Sequence, residues 1–332
     1  MGYGSRGNIM AEAYLLGSEK DTPLIRKPIT LPALRKREVL IRHTAIGLNR
    51  VDLDMINRKI ALPAGAVTAG AEGIGIVEDM GKDVHGLNIG DRVAYGTGIP
   101  GAFATHRIIH QHYLVNVPPE VSDEAAAALV RKGMTAHYLL AYTFVVREGD
   151  QILIHGVTGG VGHLLAQWCR HRGAIVHGTI GDKHKRHAAK EYGCHFVYIH
   201  TDPDWMKLLA KHVKSPGIAA VYDLLGGETL YHTGEVMRHW GIWTAVGDVA
   251  GAPPPLNPEL LGPRSLLFTR PNLDVYKAHR MELILSMHEV FTMFLQEHLK
   301  PVYQSFFFEE LPTKALEAFA ARDRVGAVVL KC

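Results

Sequence analysis

Cysteine is almost missing from this chain: only Cys169, Cys194 and Cys332 occur in 332 residues, widely separated and all in the second half. That excludes a disulfide-stapled secreted scaffold and a cysteine-rich zinc lobe. A charge of one sign is also lacking. Lys+Arg number 36 against 33 Asp+Glu, and a net charge of +3 offers no electrostatic footprint for nucleic acid. No apolar run approaches the ~18–20 residues of a membrane span. Met1–Met10 is glycine-rich and polar, and Ala13–Leu16 is too short for the core of an export signal. The expectation is a cytoplasmic protein without nucleic-acid or membrane partners.

What is present suits a large globular fold, with 47% hydrophobic and 21% charged residues. At ~100–200 residues per domain, the length predicts two domains. The one surplus is histidine, at 20 residues.

Two textures divide the chain. Up to about Asn116, short extended runs are broken by glycine: Glu38–Ala45, Gly73–Glu78, Asp91–Tyr95 and Phe103–Ile109. Their β-branched content and turn punctuation predict a compact β-rich domain. From Ser122 the pattern becomes α/β. Ser122-Asp-Glu-Ala reads as a helix start, continuing through Thr135–Leu140. Strands at Gln151–His155, Ile175–Ile180, Phe196–Ile199, Ala219–Leu224 and Ile242–Val246 then alternate with helices. Those helices are expected at Gly160–His171, Lys183–Tyr192, Trp205–Val213 and Thr229–Met237. Such alternation implies βαβ units and a parallel sheet. The tail is predicted as a helix (Leu273–Leu299), a strand (Ser305–Glu309), a helix (Thr313–Arg322) and a strand (Ala327–Leu330).

The strongest local signal is Gln151-Ile-Leu-Ile-His-Gly-Val-Thr-Gly-Gly-Val-Gly162, an apolar strand running into glycines that open a helix. Val161, Leu164, Leu165 and Trp168 recur at helical spacing, giving that helix one buried face. Small residues let a pyrophosphate reach backbone N–H groups at a helix N-terminus. Gly159 and Gly162 match the second and third glycines of the dinucleotide fingerprint, and Val157 replaces the first. The competing explanation is tight strand–helix packing alone. Beyond the next strand, Gly181 leads into Asp182-Lys-His-Lys-Arg186. Its cations favour a 2′-phosphate and hence NADPH, while Asp182 either binds a ribose hydroxyl or caps the following helix.

Several motifs occur in order: Asn49-Arg-Val-Asp52, Gly70-Ala-Glu72-Gly-Ile-Gly75, Gly90-Asp-Arg-Val-Ala94, Lys132-Gly-Met-Thr135-Ala, Gly159-Gly-Val-Gly162, Val221-Tyr-Asp223 and Phe268-Thr-Arg270-Pro. Together they make the chain resemble the quinone oxidoreductase (zeta-crystallin-like) family of medium-chain dehydrogenases/reductases, from about residue 35 to the end. The resemblance implies a GroES-like domain (1–133 and 274–332) interrupted by a Rossmann NADPH-binding domain (134–273). It also implies the zinc-independent branch. Zinc-dependent relatives carry a Cys where this chain has Asn49, and a His-Glu pair where it has Ala71-Glu72. The histidine pairs His110/His112 and His184/His187 have no third ligand by spacing, so no metal is expected.

By the same resemblance, Asn49 sits near the nicotinamide and bonds either substrate oxygen or cofactor, unless it is a turn-stabilising Asx residue. Thr135 contacts the nicotinamide side or bonds its own helix backbone. Gly159, Gly160, Val161 and Gly162 hold the pyrophosphate, with Gly181, Lys185 and His200 on the adenosine side. Val246, Gly247 and Asp248 follow the fifth Rossmann strand, and Arg270 contacts cofactor or forms an interdomain salt bridge. Asp54 and Ile60 stand with Asn49 at the substrate pocket, where many bacterial relatives place aromatic hydroxyls. The expected activity is NADPH-dependent reduction of a small-molecule quinone or conjugated carbonyl by direct hydride transfer. The alternatives are reduction of an enone or enoyl-thioester C=C bond, and a non-catalytic NADPH sensor. A homodimer pairing near Ser265–Phe268 is also expected.

Overall fold

The computed structural model describes residues 9–17, 23–227, 229 and 231–332. The glycine-rich start (Met1–Asn8) lies outside the described residues. The strands are β1 (Ile9–Leu16), β2 (Leu24–Leu31), β3 (Glu38–Gly47), β4 (Glu72–Met80), β5 (Arg92–Tyr95), β6 (His106–His110), β7 (Val115–Asn116), β8 (Gln151–His155), β9 (Ile175–Ile180), β10 (Phe196–Ile199), β11 (Ile218–Asp223), β12 (Met237–Ala245), β13 (Leu267–Thr269), β14 (Tyr303–Phe307) and β15 (Ala327–Lys331). The α-helices are α1 (Arg50–Ile56), α2 (Asp123–Tyr138), α3 (Gly162–His171), α4 (Arg186–Glu191), α5 (Trp205–His212), α6 (Leu273–Tyr276), α7 (Arg280–Leu295) and α8 (Leu316–Ala320).

Two large sheets organise these elements. One is all parallel in the order β10-β9-β8-β11-β12-β13, and its central strands β8 and β11 are buried along their whole length. Burial on both faces explains why they read as apolar runs rather than alternating ones. Ile152, Ile154, Ala220 and Tyr222 pack with α3, whereas Leu153 and Val221 face Trp205, Leu209 and Trp243. The other sheet runs β14-β15-β3-β4-β5-β7, with β6 also paired to β3. β15 pairs antiparallel with β3, so the C-terminal tail completes the sheet that the N-terminal half begins.

Helix α2 packs on β3, β4, β5 and β15 of this second sheet and, on its other side, against α3 and α7. The Ser122 hydroxyl accepts from the Ala125 amide at 3.2 Å, and Asp123 and Glu124 follow in the first turn. These features satisfy an orphan donor and complement the positive end of the helix. A run of small and branched residues, Ala125–Val130, is buried along its length. Its C-terminal end passes into a π-turn over Leu139–Thr143, where the Tyr222 hydroxyl donates to the Leu139 carbonyl at 2.9 Å.

Several predicted boundaries shift for identifiable reasons. The helix after the glycines begins at Gly162 rather than Gly160, because Gly159 and Gly160 form the turn itself. Val161 precedes the helix half-exposed, while Leu164, Leu165 and Trp168 are buried. Lys183–Tyr192 begins as a 3-10 turn capped by Asp182, whose Oδ1 accepts from the His184 amide at 2.9 Å. Of the helix expected over 229–237, residue 230 lies outside the described residues, Tyr231–Val236 is 3-10 and Met237 opens β12. There the Trp243 indole donates to the Thr233 hydroxyl at 2.9 Å and its ring lies against Gly234, a close approach that suits the tighter turn. The Leu273–Leu299 helix divides into α6 and α7, with Lys277 buried at the break. The late strand starts earlier than predicted, at Tyr303, and Thr313–Arg322 becomes a π-turn (Leu311–Ala315) followed by α8.

Because α2 is buried between one sheet and the helices α3 and α7, its N-cap is a sensitive point. Ser122→Ala is expected to cost about 1 kcal/mol, read as a lower midpoint in urea with an unchanged slope. An unchanged midpoint would show that the cap contributes nothing.

Candidate active site

The site grows from β3 and β4. Gly47 ends β3, and a Cβ there would fall 2.2 Å from Glu72 Oε1 and 2.4 Å from the Ala127 carbonyl. Only glycine lets the Glu72 side chain cross at this point. Glu72 is wholly buried and accepts from three donors. Its Oε1 receives Asn49 Nδ2 at 2.9 Å and the Lys132 ammonium in a close ion pair, and its Oε2 receives the Arg131 amide at 2.8 Å. A buried carboxylate requires this degree of satisfaction.

Asn49 is the N-cap of α1. Its side-chain amide donates to Gly47 O (3.2 Å) as well as to Glu72, and its backbone N–H donates to Asp52 Oδ2 at 2.7 Å. The Asx reading is therefore part of the answer, but the carboxamide is also fixed in space by Glu72. Asp52 Oδ1 is buried without a hydrogen-bond partner among the described residues. Burial pushes the Asp52 carboxyl up to about 7, opposed by the Asn49 amide.

The Lys132 stem leads from this cluster to the nucleotide turn. Its Cδ and Cε lie 3.2 and 3.3 Å from where a Gly160 Cβ would sit. Gly156, at φ +74°, makes the sharp turn one residue ahead of Val157. A Cβ on Gly162 would strike the Gly156 carbonyl at 2.4 Å, so α3 packs directly on β8. The amides of Val161 and Gly162 have no backbone acceptor among the described residues, the Gly160 amide faces the Gly326 carbonyl across an isolated parallel bridge, and Gly159, Gly160 and Val161 remain half-exposed. This bare cradle at the start of a ten-residue helix fits a pyrophosphate. The C-terminal tail closes one side: Gly326 donates to Thr158 O at 2.9 Å. His163 adds a second tie, bonding Gly159 O at 2.9 Å through Nδ1 and accepting from the Val302 amide at 3.1 Å through Nε2. Burial lowers the His163 imidazole to about 4, leaving it neutral and suited to one donor and one acceptor contact.

Of the other expected residues, Gly181, Lys185 and His200 come together beyond β9. A Gly181 Cβ would lie 3.4 Å from His200 Nε2, and the nearby Lys185 charge adds to burial in lowering the His200 imidazole. The Lys185 ammonium bonds the Arg322 carbonyl; its proton affinity is lowered by burial and then by Arg324. Val246, Gly247 and Asp248 follow β12, and the Val246 and Gly247 amides donate to Asp223 O. Arg270 faces Asp248 at 3.8 Å, so its ion pair joins the ends of two neighbouring strands of the parallel sheet rather than two domains. The Thr135 hydroxyl donates to Arg131 O at 2.8 Å, the backbone-bonded alternative.

Asp54 is held by Arg50 (3.2 Å) and Lys59 (3.9 Å), Ile60 is 43% exposed, and among the described residues neither side chain hydrogen-bonds Asn49. Sequence reasoning missed Glu72, Lys132, Asp52 and His163 as site residues. Each stood inside or beside a recognised motif, but only the tertiary contact reveals its role. The Asp52 carboxyl gives a pH signature, since its value when unfolded is near 3.9. Between about 4 and about 7 the folded state keeps the proton that the unfolded state loses, so this contribution to stability fades as pH rises. Asp52→Asn is therefore expected to gain stability relative to wild type across that window, measured by urea unfolding at several pH values. Parallel pH curves would contradict the assignment.

Comparison with known proteins agrees with this geometry. Residues 35–119 match the alcohol dehydrogenase GroES-like domain, and residues 160–285 match the family described as zinc-binding dehydrogenase. A 2-haloacrylate reductase from Burkholderia sp is 34% identical over 253 residues, covering 74% of this chain and 76% of the relative. The quinone oxidoreductase of Pseudomonas aeruginosa is 30% identical, with coverage of 89% and 91%. The crystal structure of Escherichia coli quinone oxidoreductase complexed with NADPH superimposes with a TM-score of 0.89 at 26% identity, over 97% of this chain and 100% of that one. With a GroES-like sheet, a parallel nucleotide sheet and these relatives, the chain belongs to the quinone oxidoreductase family of zinc-independent medium-chain dehydrogenases/reductases.

Proposed function

We infer that this oxidoreductase uses NADPH to reduce a quinone or related conjugated carbonyl by direct hydride transfer. One observation carries the reading: Lys132 spans from the bare-amide glycine turn to the Asn49–Glu72 pair, so the dinucleotide end and the reacting end of one cleft are in contact. NADPH, when bound, supplies the hydride from C4 of its nicotinamide. The residues of this chain supply binding and orientation. The Val161 and Gly162 amides hold pyrophosphate, and Lys185 with Gly181 and His200 flanks the 2′-phosphate. Val246, Gly247, Asp248 and Arg270 line the crevice at the carboxyl ends of the strands, where open α/β sheets bind ligands. Thr135 lies one turn beyond Arg131 and Lys132 on the same helix. Both amide hydrogens of Asn49 are used by Gly47 and Glu72, and its side chain also faces the Asp52 backbone amide in a capping box, so the carboxamide is fixed in place. A carboxamide fixed in this way supports orienting the cofactor as the role of Asn49.

The division into 1–133 with 274–332, and 134–273, follows the same reading. So does a homodimer through β13, the outer strand of the parallel sheet. A second reading, reduction of an activated C=C bond, is favoured by the 2-haloacrylate reductase relative. It shares the cofactor chemistry and differs only in the acceptor.

NADPH oxidation measured with naphthoquinone, benzoquinone, an enone, a 2-haloacrylate and an enoyl-thioester is expected to give the highest kcat/KM on a quinone. Highest turnover on the haloacrylate would install the second reading, and tight NADPH binding without any turnover would overturn both. Lys185→Ala is expected to raise the KM for NADPH about tenfold, equivalent to one charge-assisted contact, with little change for NADH. Equal effects on the two cofactors would remove Lys185 from the 2′-phosphate site.

A further inference from the structure

The Lys132–Glu72 pair is unusual in its surroundings. Both side chains are almost fully buried, at 5% and 0% exposure, yet the lysine stem rests on the glycine turn that would carry two phosphate charges. Removing both ions from water costs several kcal/mol, which Coulomb attraction repays only partly. An ammonium on a flexible four-carbon stem is also free to exchange one anion for another nearby. Glu72 is not dependent on Lys132 alone, since Asn49 Nδ2 and the Arg131 amide also donate to it. A second anion arriving over Gly160 therefore competes for the ammonium without leaving Glu72 bare. The neighbouring cations are placed otherwise. Arg131 binds the Gly96 carbonyl at 2.6 Å, and Arg324 is held against Phe319 and the Gly326 carbonyl.

We propose that Lys132 is a shared cation, held by Glu72 in the free protein and drawn to the pyrophosphate when a dinucleotide occupies the glycine turn. Glu72 then acts as the competitor that tunes cofactor affinity. Once the ammonium leaves, Asn49 Nδ2 is the remaining side-chain donor on Glu72, so binding at the phosphate end firms the hold on Asn49 at the reacting end. Lys132 is a ligand-binding residue in this scheme and Glu72 a positioning residue that acts through it. The inference rests on the glycine turn binding a pyrophosphate, as argued above.

The test is equilibrium binding, by NADPH fluorescence and calorimetry, with no turnover required. Glu72→Gln keeps the acceptor for Asn49 but gives up the charge, and is expected to tighten NADPH binding about tenfold. Lys132→Met is expected to weaken it about tenfold. Because that variant leaves a buried carboxylate without its counter-ion, which is costly to folding, the neutral pair Glu72→Gln/Lys132→Met is the decisive one. It is expected to lose the whole gain of Glu72→Gln and to depend less steeply on salt. Adenosine 2′-monophosphate, which lacks the pyrophosphate, is expected to bind all folded variants alike. Unchanged or weaker NADPH binding by Glu72→Gln, or a double variant that keeps the gain, would overturn the shared-cation role while the nucleotide site stands. Failure of the wild type to bind NADPH would instead overturn the proposed function beneath it.

Discussion

The buried contact between Lys132 and Glu72 constrains more of this structure than any other pair. For Glu72 to reach it, position 47 must be glycine, because any Cβ would occupy the space of the carboxylate. For Lys132 to reach it, α2 must pack on β3 and β4 with its lysine stem against Gly160. The carboxylate then fixes the Asn49 amide, and Asn49 in turn caps α1 and binds Asp52. One ion pair thereby links β3, β4, α1, α2 and the nucleotide turn. An isolated buried pair is weak support for stability. Here its value lies in fixing how Asn49 and the glycine turn stand relative to each other.

The tail of the chain supplies a second set of ties between the sheets. β15 joins β3, Gly326 bonds Thr158, and His163 clamps Gly159 to Val302. Along α3, Gln167 continues the same seam by exchanging hydrogen bonds with the Lys300 backbone at 3.1 and 2.7 Å. The glycine turn is therefore supported on one side by its own helix and on the other by residues more than a hundred positions later in the chain. Such long-range support is what a precise phosphate cradle needs, since glycines alone specify little conformation.

Much of the architecture was legible in the sequence because it is written in local periodicity. The strands Gln151–His155 and Ile175–Ile180 coincide with β8 and β9, and Ser122 caps α2 as its residue type suggests. The misses fall where a tertiary contact overrides local preference, as at Gly234 against Trp243 and at the buried Lys277. The site was legible as motifs but not as a network. Nothing in local spacing tells that Glu72 bonds Asn49, or that Lys132 rather than a surface cation lies on Gly160. The 20 histidines also gain a partial explanation. His43 bridges the Ala104 carbonyl and the Tyr95 hydroxyl at 2.6 and 2.8 Å, and His163 bridges two chain segments. Burial lowers these imidazoles to about 3 and about 4, so they serve as neutral two-ended connectors. Their contacts are between distant segments, which local spacing does not reveal.

On the proposed function, hydride passes directly from the nicotinamide to an acceptor held in this cleft. Its most direct measurement is the isotope effect on kcat/KM with NADPH deuterated separately on each face of C4, using the best acceptor. A cleft that orients the ring through Asn49 and the glycine turn predicts a primary effect with one face and none with the other. Turnover that is insensitive to deuterium on both faces, or equally sensitive on both, would contradict direct transfer from an oriented cofactor.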